Sequence, residues 1–146
     1  MNNQSVQKYV AQLLKVAVLG GCLALASAAA NSAESKLTLV GANETPPVKT
    51  AATGTGSIVV NADKTVSGTI ITTGMVGTVA HIHLAPEGKK GPPIIFLVKS
   101  GESGWSIPAA SRLTDEQYAS YKAGDLYVNV HTAENKDGEI RAQLKP

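Results

Sequence analysis

The sequence predicts an all-β fold: an antiparallel sandwich of about seven strands interrupted by one short helix. Three observations point there. Short runs rich in Val, Ile, Leu and Thr recur along the chain, and glycine, proline, asparagine and aspartate punctuate them. Several runs alternate apolar with polar residues, the period of a strand with one face in a core and the other towards solvent. One segment only carries helix-boundary chemistry at both ends.

The elements follow in order. Strands are expected over "KLTLVG" (36–41), "GTGSIVV" (54–60), "TVSGTIIT" (65–72) and "TVAHIHLA" (78–85). Three more are expected over "IIFLVKS" (94–100), "DLYVNVHT" (125–132) and "EIRAQLK" (139–145). "NADK" and "ENKDG" are turn sequences that join neighbouring runs as hairpins. "PEGKKGPP" (86–93) is a loop, since its prolines and glycines suit no strand. "LTDEQYASYKAG" is the helix, with Thr114 as N-cap, Gln117 three residues on and Gly124 beyond the last turn. Leu113, Tyr118 and Tyr121 form its expected buried side, and Trp105 in "SGWSIP" is expected in the core or as a lid.

The first 30 residues read as a signal peptide, leaving 31–146 as one domain. Lys8 and Lys15 precede or open an apolar run over 16–25, and the small-residue series "ASAAANSA" follows. That run is shorter than the roughly 20 apolar residues a membrane span needs, so no transmembrane segment is expected in the mature chain. "LGGC" also resembles a lipoprotein box ending at Cys22, but the stretch after it stays apolar, which favours cleavage after the alanines. A periplasmic or secreted location follows. Beyond Cys22 there is no cysteine, which excludes internal disulfides, thiolate ligands and a thiol nucleophile. Without Lys8 and Lys15 the 13 basic residues become 11, matching the 11 acidic ones. A neutral domain does not suggest a nucleic-acid partner.

The three histidines carry the chemistry. Residues two apart share a strand face, so His81 and His83 lie together opposite Ala80, Ile82 and Leu84. In the 125–132 strand, His131 shares the polar face with Tyr127 and Asn129. In the 139–145 strand that face carries Glu139, Arg141 and Gln143. Two histidines separated by one residue have α-carbons about 6.6 Å apart, and both rings can reach one ion at about 2.0 Å. A third ligand from another strand is then needed, and His131 is the remaining histidine. Copper is the first choice of metal and zinc the alternative, because imidazole nitrogen suits both and copper binds such ligands more tightly. Asn129, Glu139 and Arg141 are candidates for orienting or supporting the ligands. The competing reading is a solvated polar sheet face with no ion. "NETPPV" either covers a sheet edge or presents Glu44, with the edge favoured. No nucleophile elbow, phosphate loop or dinucleotide fingerprint is present, so enzymatic activity is left open.

The segments "LVGANETPPVKTAATGTG", "VAHIHLAPEGKKGPPIIFLV", "LTDEQYASYKAGDLYVNVHT" and "DGEIRAQL" together resemble the CHRD domain, the module named after chordin. The resemblance runs over almost the whole exported chain. Leu84 and Ala142 stand where that family commonly has glycine, and neither change removes a histidine. The resemblance implies an immunoglobulin-like, Greek-key sandwich outside the cytoplasm, and little about activity. Two functions stay open: an exported copper carrier or redox protein, and an adhesion or interaction module that works without metal. Intact mass of the protein from its own host should show a chain beginning near residue 31. A full-length or Cys22-lipidated species would defeat that expectation.

Overall fold

A computed structural model describes residues 32–146; the expected signal peptide and Cys22 lie outside the described residues. The chain runs β1 (Ser32–Val40), β2 (Thr53–Asn61), β3 (Val66–Thr73), β4 (Val79–Leu84), β5 (Pro93–Phe96), β6 (Val98–Ser100), β7 (Gly104–Ser106), α1 (Asp115–Ala123), β8 (Leu126–His131) and β9 (Ile140–Leu144). A 3-10 turn, Gly41–Asn43, follows β1. All strand pairs are antiparallel, in the order β5-β4-β8-β9-β1-β2-β3-β7-β6. The all-β architecture with one short helix is as expected. The strand count is nine rather than about seven, and the sheet is continuous and nearly closed into a barrel.

Two local causes account for the extra strands. The expected strand at 94–100 is divided at Leu97, whose side chain is buried and whose N–H donates to the Ala80 carbonyl at 2.9 Å. β5 and β6 therefore occupy opposite ends of the strand order although they are almost contiguous in the chain. One short stretch of backbone links the two ends of the sheet. β7 is built around Trp105, which is buried and sits opposite Ile70 on one side and Lys99 on the other. Three residues with one apolar side chain carry no readable alternation, so the core placement of Trp105 was visible and its strand was not.

The interior is the apolar face of each strand. Leu39, Ile58, Ile70, Val128, Val130 and Leu144 are fully buried and belong to one hydrophobic cluster. α1 packs over this cluster through Tyr121, with Leu113 buried just before it and Tyr118 partly buried. Its boundaries are those expected. The Thr114 hydroxyl accepts from the Gln117 N–H, the Gln117 side chain returns the bond to Thr114, and Gly124 closes the helix at φ 81°.

The polar face of β8 and β9 departs from expectation. A solvated outer surface was expected, yet Asn129 and Arg141 are 1% and 2% exposed, and Tyr127, His83, His131 and Glu139 are also buried. Three connections form a roof over that face. The β1–β2 connection crosses it through Asn43, which donates to the Arg141 carbonyl, and through Glu44, which accepts from Asn129. "NETPPV" thus covers a sheet face rather than an edge. The β4–β5 loop is clamped by Arg141, whose guanidinium donates to the carbonyls of Lys89 at 2.8 Å and Pro86 at 3.3 Å. The β8–β9 turn is held by Asn129, which donates to the Asp137 carbonyl. Gly138 in that turn has φ 133°, and a side chain there would collide with the Glu44 carboxylate.

The core assignment makes a quantitative expectation. Ile70 is 0% exposed and remote from the histidines in the strand order. Ile70→Ala should lower unfolding stability by about 2–5 kcal/mol in urea titrations, the usual range for emptying a packed core position. A loss below about 1 kcal/mol would mean that this face of β3 is not part of the core.

Candidate metal centre

Strand pairing brings the three histidines together. β4 lies antiparallel to β8 with Val79 opposite His131, His81 opposite Asn129 and His83 opposite Tyr127. His131 is therefore a diagonal neighbour of His81 on the same face, the separation at which long side chains still meet. Ring centroids are 4.9 Å apart for His81 and His131, 5.4 Å for His81 and His83, and 6.1 Å for His83 and His131. One nitrogen from each ring falls within 4.8 Å of the others, and this is a group able to hold a metal ion.

Backbone carbonyls fix two of the rings. Nδ1 of His83 lies 2.9 Å from the Gly91 carbonyl oxygen, and Nδ1 of His131 lies 2.8 Å from that of Lys136. A carbonyl oxygen only accepts, so each Nδ1 carries the proton and each neutral ring keeps a bare lone pair on Nε2. His131 Nε2 stands 3.1 Å from His81 Nδ1, which must then be the donor of that bond. Gly91 can reach His83 because it lacks a side chain: a Cβ there would run into the Leu84 carbonyl oxygen.

The distances bear on what the group can hold. Two nitrogens bound to one ion at about 2.0–2.1 Å stand about 2.9 Å apart at a right angle and about 3.4 Å apart at the tetrahedral angle. The 3.1 Å between His81 Nδ1 and His131 Nε2 falls within that range, and His81 ligates through Nδ1 once its proton moves to Nε2. The full 4.8 Å span is wider than two such bonds can bridge, so holding one ion with all three rings requires the triad to contract. His83 Nε2 and Asn129 Oδ1 are both buried with no hydrogen-bond partner. Each carries a lone pair, and leaving such an atom unpaired costs about 1–3 kcal/mol, so both would gain from a cation.

The surroundings are aromatic and dry on one side. Tyr127 stacks on His83 at 4.7 Å with 6° between planes, and the Arg141 guanidinium lies 3.4 Å from the centre of the Tyr127 ring. Phe96 meets His81 edge-on at 4.6 Å and is 61% exposed. His81 is the half-buried member of the triad and marks the side open to solvent.

The expected supporting residues occupy distinct places. Asn129 lies beside His83 and favours its charged form, while its amide nitrogen binds Glu44 and the Asp137 carbonyl. Arg141 reaches the site through Tyr127 and the clamped β4–β5 loop. Glu139 makes no hydrogen bond to a histidine: it accepts from Thr132 at 2.9 Å and from Asn135, bracing the turn that presents Lys136. Burial works to raise its carboxyl, but hydrogen bonds from Thr50, Asn135 and Thr132 prevail and hold it below the ordinary value. Glu44 shows the opposite balance, with burial raising its carboxyl despite the bonds from Asn129 and Thr45. Gly91 and Lys136 escaped the sequence reading because they act through backbone oxygens, which leave no trace in residue identity. Met75 packs against the core.

Burial lowers the affinity of all three rings for protons. His81 is pushed down to about 4 by desolvation, helped by the neighbouring His131 and His83. Desolvation also lowers His83 and His131, against the raising effects of the Gly91 and Lys136 carbonyls. A histidine depressed in the folded state binds more protons when unfolded, so stability rises with pH across that interval. For the metal-free protein, the His81 contribution should be complete above pH 6.5 and lost as pH falls towards about 4. Urea titrations between pH 7.5 and 4.5 should show this loss, with a shallower dependence for His81→Gln. Identical pH dependence in both proteins would show that the ring is not depressed.

A family model, the CHRD domain, matches residues 36–144. No curated protein and no solved structure matches the chain. The matched segment contains all three histidines, Gly91 and Lys136 whose carbonyls accept from them, and every strand from within β1 to the end of β9. With most of its length accounted for in this way, the chain belongs to the CHRD-domain family.

Proposed function

We propose that this CHRD domain is an exported metal-binding protein that holds one transition-metal ion, copper before zinc, through His81, His83 and His131. The observation that supports it most is the arrangement of lone pairs. Two carbonyls impose the same tautomer on His83 and His131, one of the resulting nitrogens has no partner, and the other faces His81 at 3.1 Å. Three neutral imidazoles and no thiolate favour copper(II) or zinc over a sulfur-rich copper(I) site. Three protein ligands leave a coordination position for water or a small molecule, which suits a carrier or a redox centre. Export to the periplasm or beyond rests on the leader over residues 1–30. No helix among the described residues is long and apolar enough to cross a membrane.

The depressed rings alter the expected pH response. Ordinary imidazoles would surrender a metal below about pH 6, because protons compete for the same nitrogens. With His81 at about 4 and the other two also lowered, that competition begins at more acidic pH.

The second reading is an interaction module without metal. Phe96 on β5, Val98 on β6 and Val79 on β4 are 61%, 49% and 45% exposed, and the β4–β5 loop is solvent-facing. The polar sheet face is withdrawn from that role, since the roof covers it.

Cu(II) titration of untagged, metal-free protein decides between them. One equivalent should bind the wild type, and His81→Ala, His83→Ala and His131→Ala should each weaken binding at least about tenfold, the scale of a lost ligand's support. Electron paramagnetic resonance should show nitrogen coupling that diminishes in each variant. Equal affinity and stoichiometry in all four proteins would leave the histidines as a polar cluster only.

A further inference from the structure

The two loops that hold the histidine rings are themselves held to each other. Lys90 immediately precedes Gly91, whose carbonyl fixes His83, and Asp137 immediately follows Lys136, whose carbonyl fixes His131. Lys90 Nζ donates to Asp137 Oδ2 at 2.8 Å. Three ion pairs occur among the described residues, and this one alone joins the β4–β5 loop to the β8–β9 turn. Elsewhere each loop is tied to the sheet beneath it. Arg141 holds Pro86 and Lys89, while Asn129 holds the Asp137 carbonyl. Beside Gly91 the backbone is tied to β4 by the Leu84 N–H, which donates to the Pro92 carbonyl at 3.1 Å, while the Gly91 N–H itself makes only a long contact, 3.4 Å, to the Tyr127 hydroxyl.

On this arrangement, and resting on the metal-site reading, we propose that Lys90 and Asp137 form a latch across the histidine site. Closed, the pair keeps the Gly91 and Lys136 carbonyls on Nδ1 of His83 and His131, so that both Nε2 lone pairs stay available to one ion. Open, the loops separate, either ring can turn or exchange its proton between nitrogens, and the ion is released. Neither residue touches a histidine nitrogen; both are positioning residues acting through a neighbouring backbone carbonyl. Their side chains are 49% and 83% exposed, so dissolved salt screens the pair. Holding and releasing the ion thereby becomes sensitive to ionic strength, which a ligand set fixed only by core packing would not be.

The test uses full-length mature protein in four forms: wild type, Lys90→Met, Asp137→Asn, and the charge-reversed pair Lys90→Asp with Asp137→Lys. Lys90→Met removes the latch while leaving the Asp137 charge near His131. In metal-free protein, nitrogen-15 spectra of the imidazoles report the tautomer directly. Wild type should show Nδ1–H alone at His83 and His131, and both single variants should show the Nε2–H form as well. With Cu(II) bound, transfer to excess chelator should speed up about two- to five-fold from low to high salt in the wild type, the factor an exposed ion pair typically carries. Both single variants should release at the fast rate regardless of salt, and the reversed pair should recover slow, salt-dependent release. Unchanged tautomers and equal release rates would overturn the latch and leave the histidine site standing. If the wild type retains no Cu(II), the site and the latch fall together.

Discussion

A backbone carbonyl oxygen can accept a hydrogen bond and can never donate one, and the histidine cluster is organised by that asymmetry. Gly91 and Lys136 each place such an oxygen against Nδ1 of a ring. The proton is thereby committed to one side of each imidazole and the lone pair to the other. Free imidazole exchanges between tautomers and rotates about its side-chain bonds. For His83 and His131 the carbonyls restrict both freedoms before any ligand arrives, so part of the ordering cost is met during folding. The rest of the polar face serves to bring those two oxygens into position.

Bringing them there requires burial of groups that rarely leave water. Arg141 is 2% exposed and has no carboxylate within ion-pair distance among the described residues. Its charge is accommodated by carbonyls of Pro86 and Lys89, the Gln143 side chain and the face of Tyr127. A buried cation stabilised in this way is tied to the particular loop path that supplies those oxygens, so Arg141 selects one conformation of the β4–β5 connection over its competitors. Desolvation lowers the proton affinity of Arg141 and of the histidines alike. The roof sets the electrostatics of the site as well as its shape.

Much of this was legible in the residues. Alternation in "VAHIHLA", "LYVNVHT" and "EIRAQLK" assigned the apolar face of β4, β8 and β9, because a period of two separates the apolar residues from the polar ones. The helix was legible from Thr114, Gln117 and Gly124, whose capping chemistry is local. Convergence of His81 and His83 with His131 followed from shared polar faces once β4 and β8 were placed side by side. The roof was not legible. Loops take their course from distant tethers such as Asn43 to the Arg141 carbonyl, and polar residues on a strand look alike whether water or another segment covers them. Glu139 illustrates the limit: its face was correctly read, but its partners Thr132 and Asn135 depend on how the turn folds back.

The junction at Leu97 bears on how this protein meets others. Open sheets end in strands whose unpaired amides and carbonyls can recruit further strands, either from a partner or from other copies during aggregation. Here the first and last strands in the order are joined by a single residue, and the Leu97 amide is itself bonded across to β4. The free edges are short, four residues in β5 and three in β6. Strand addition at this seam would have to fit around the Leu97 crossing, so a partner gains more from side chains and loop surfaces than from the backbone there.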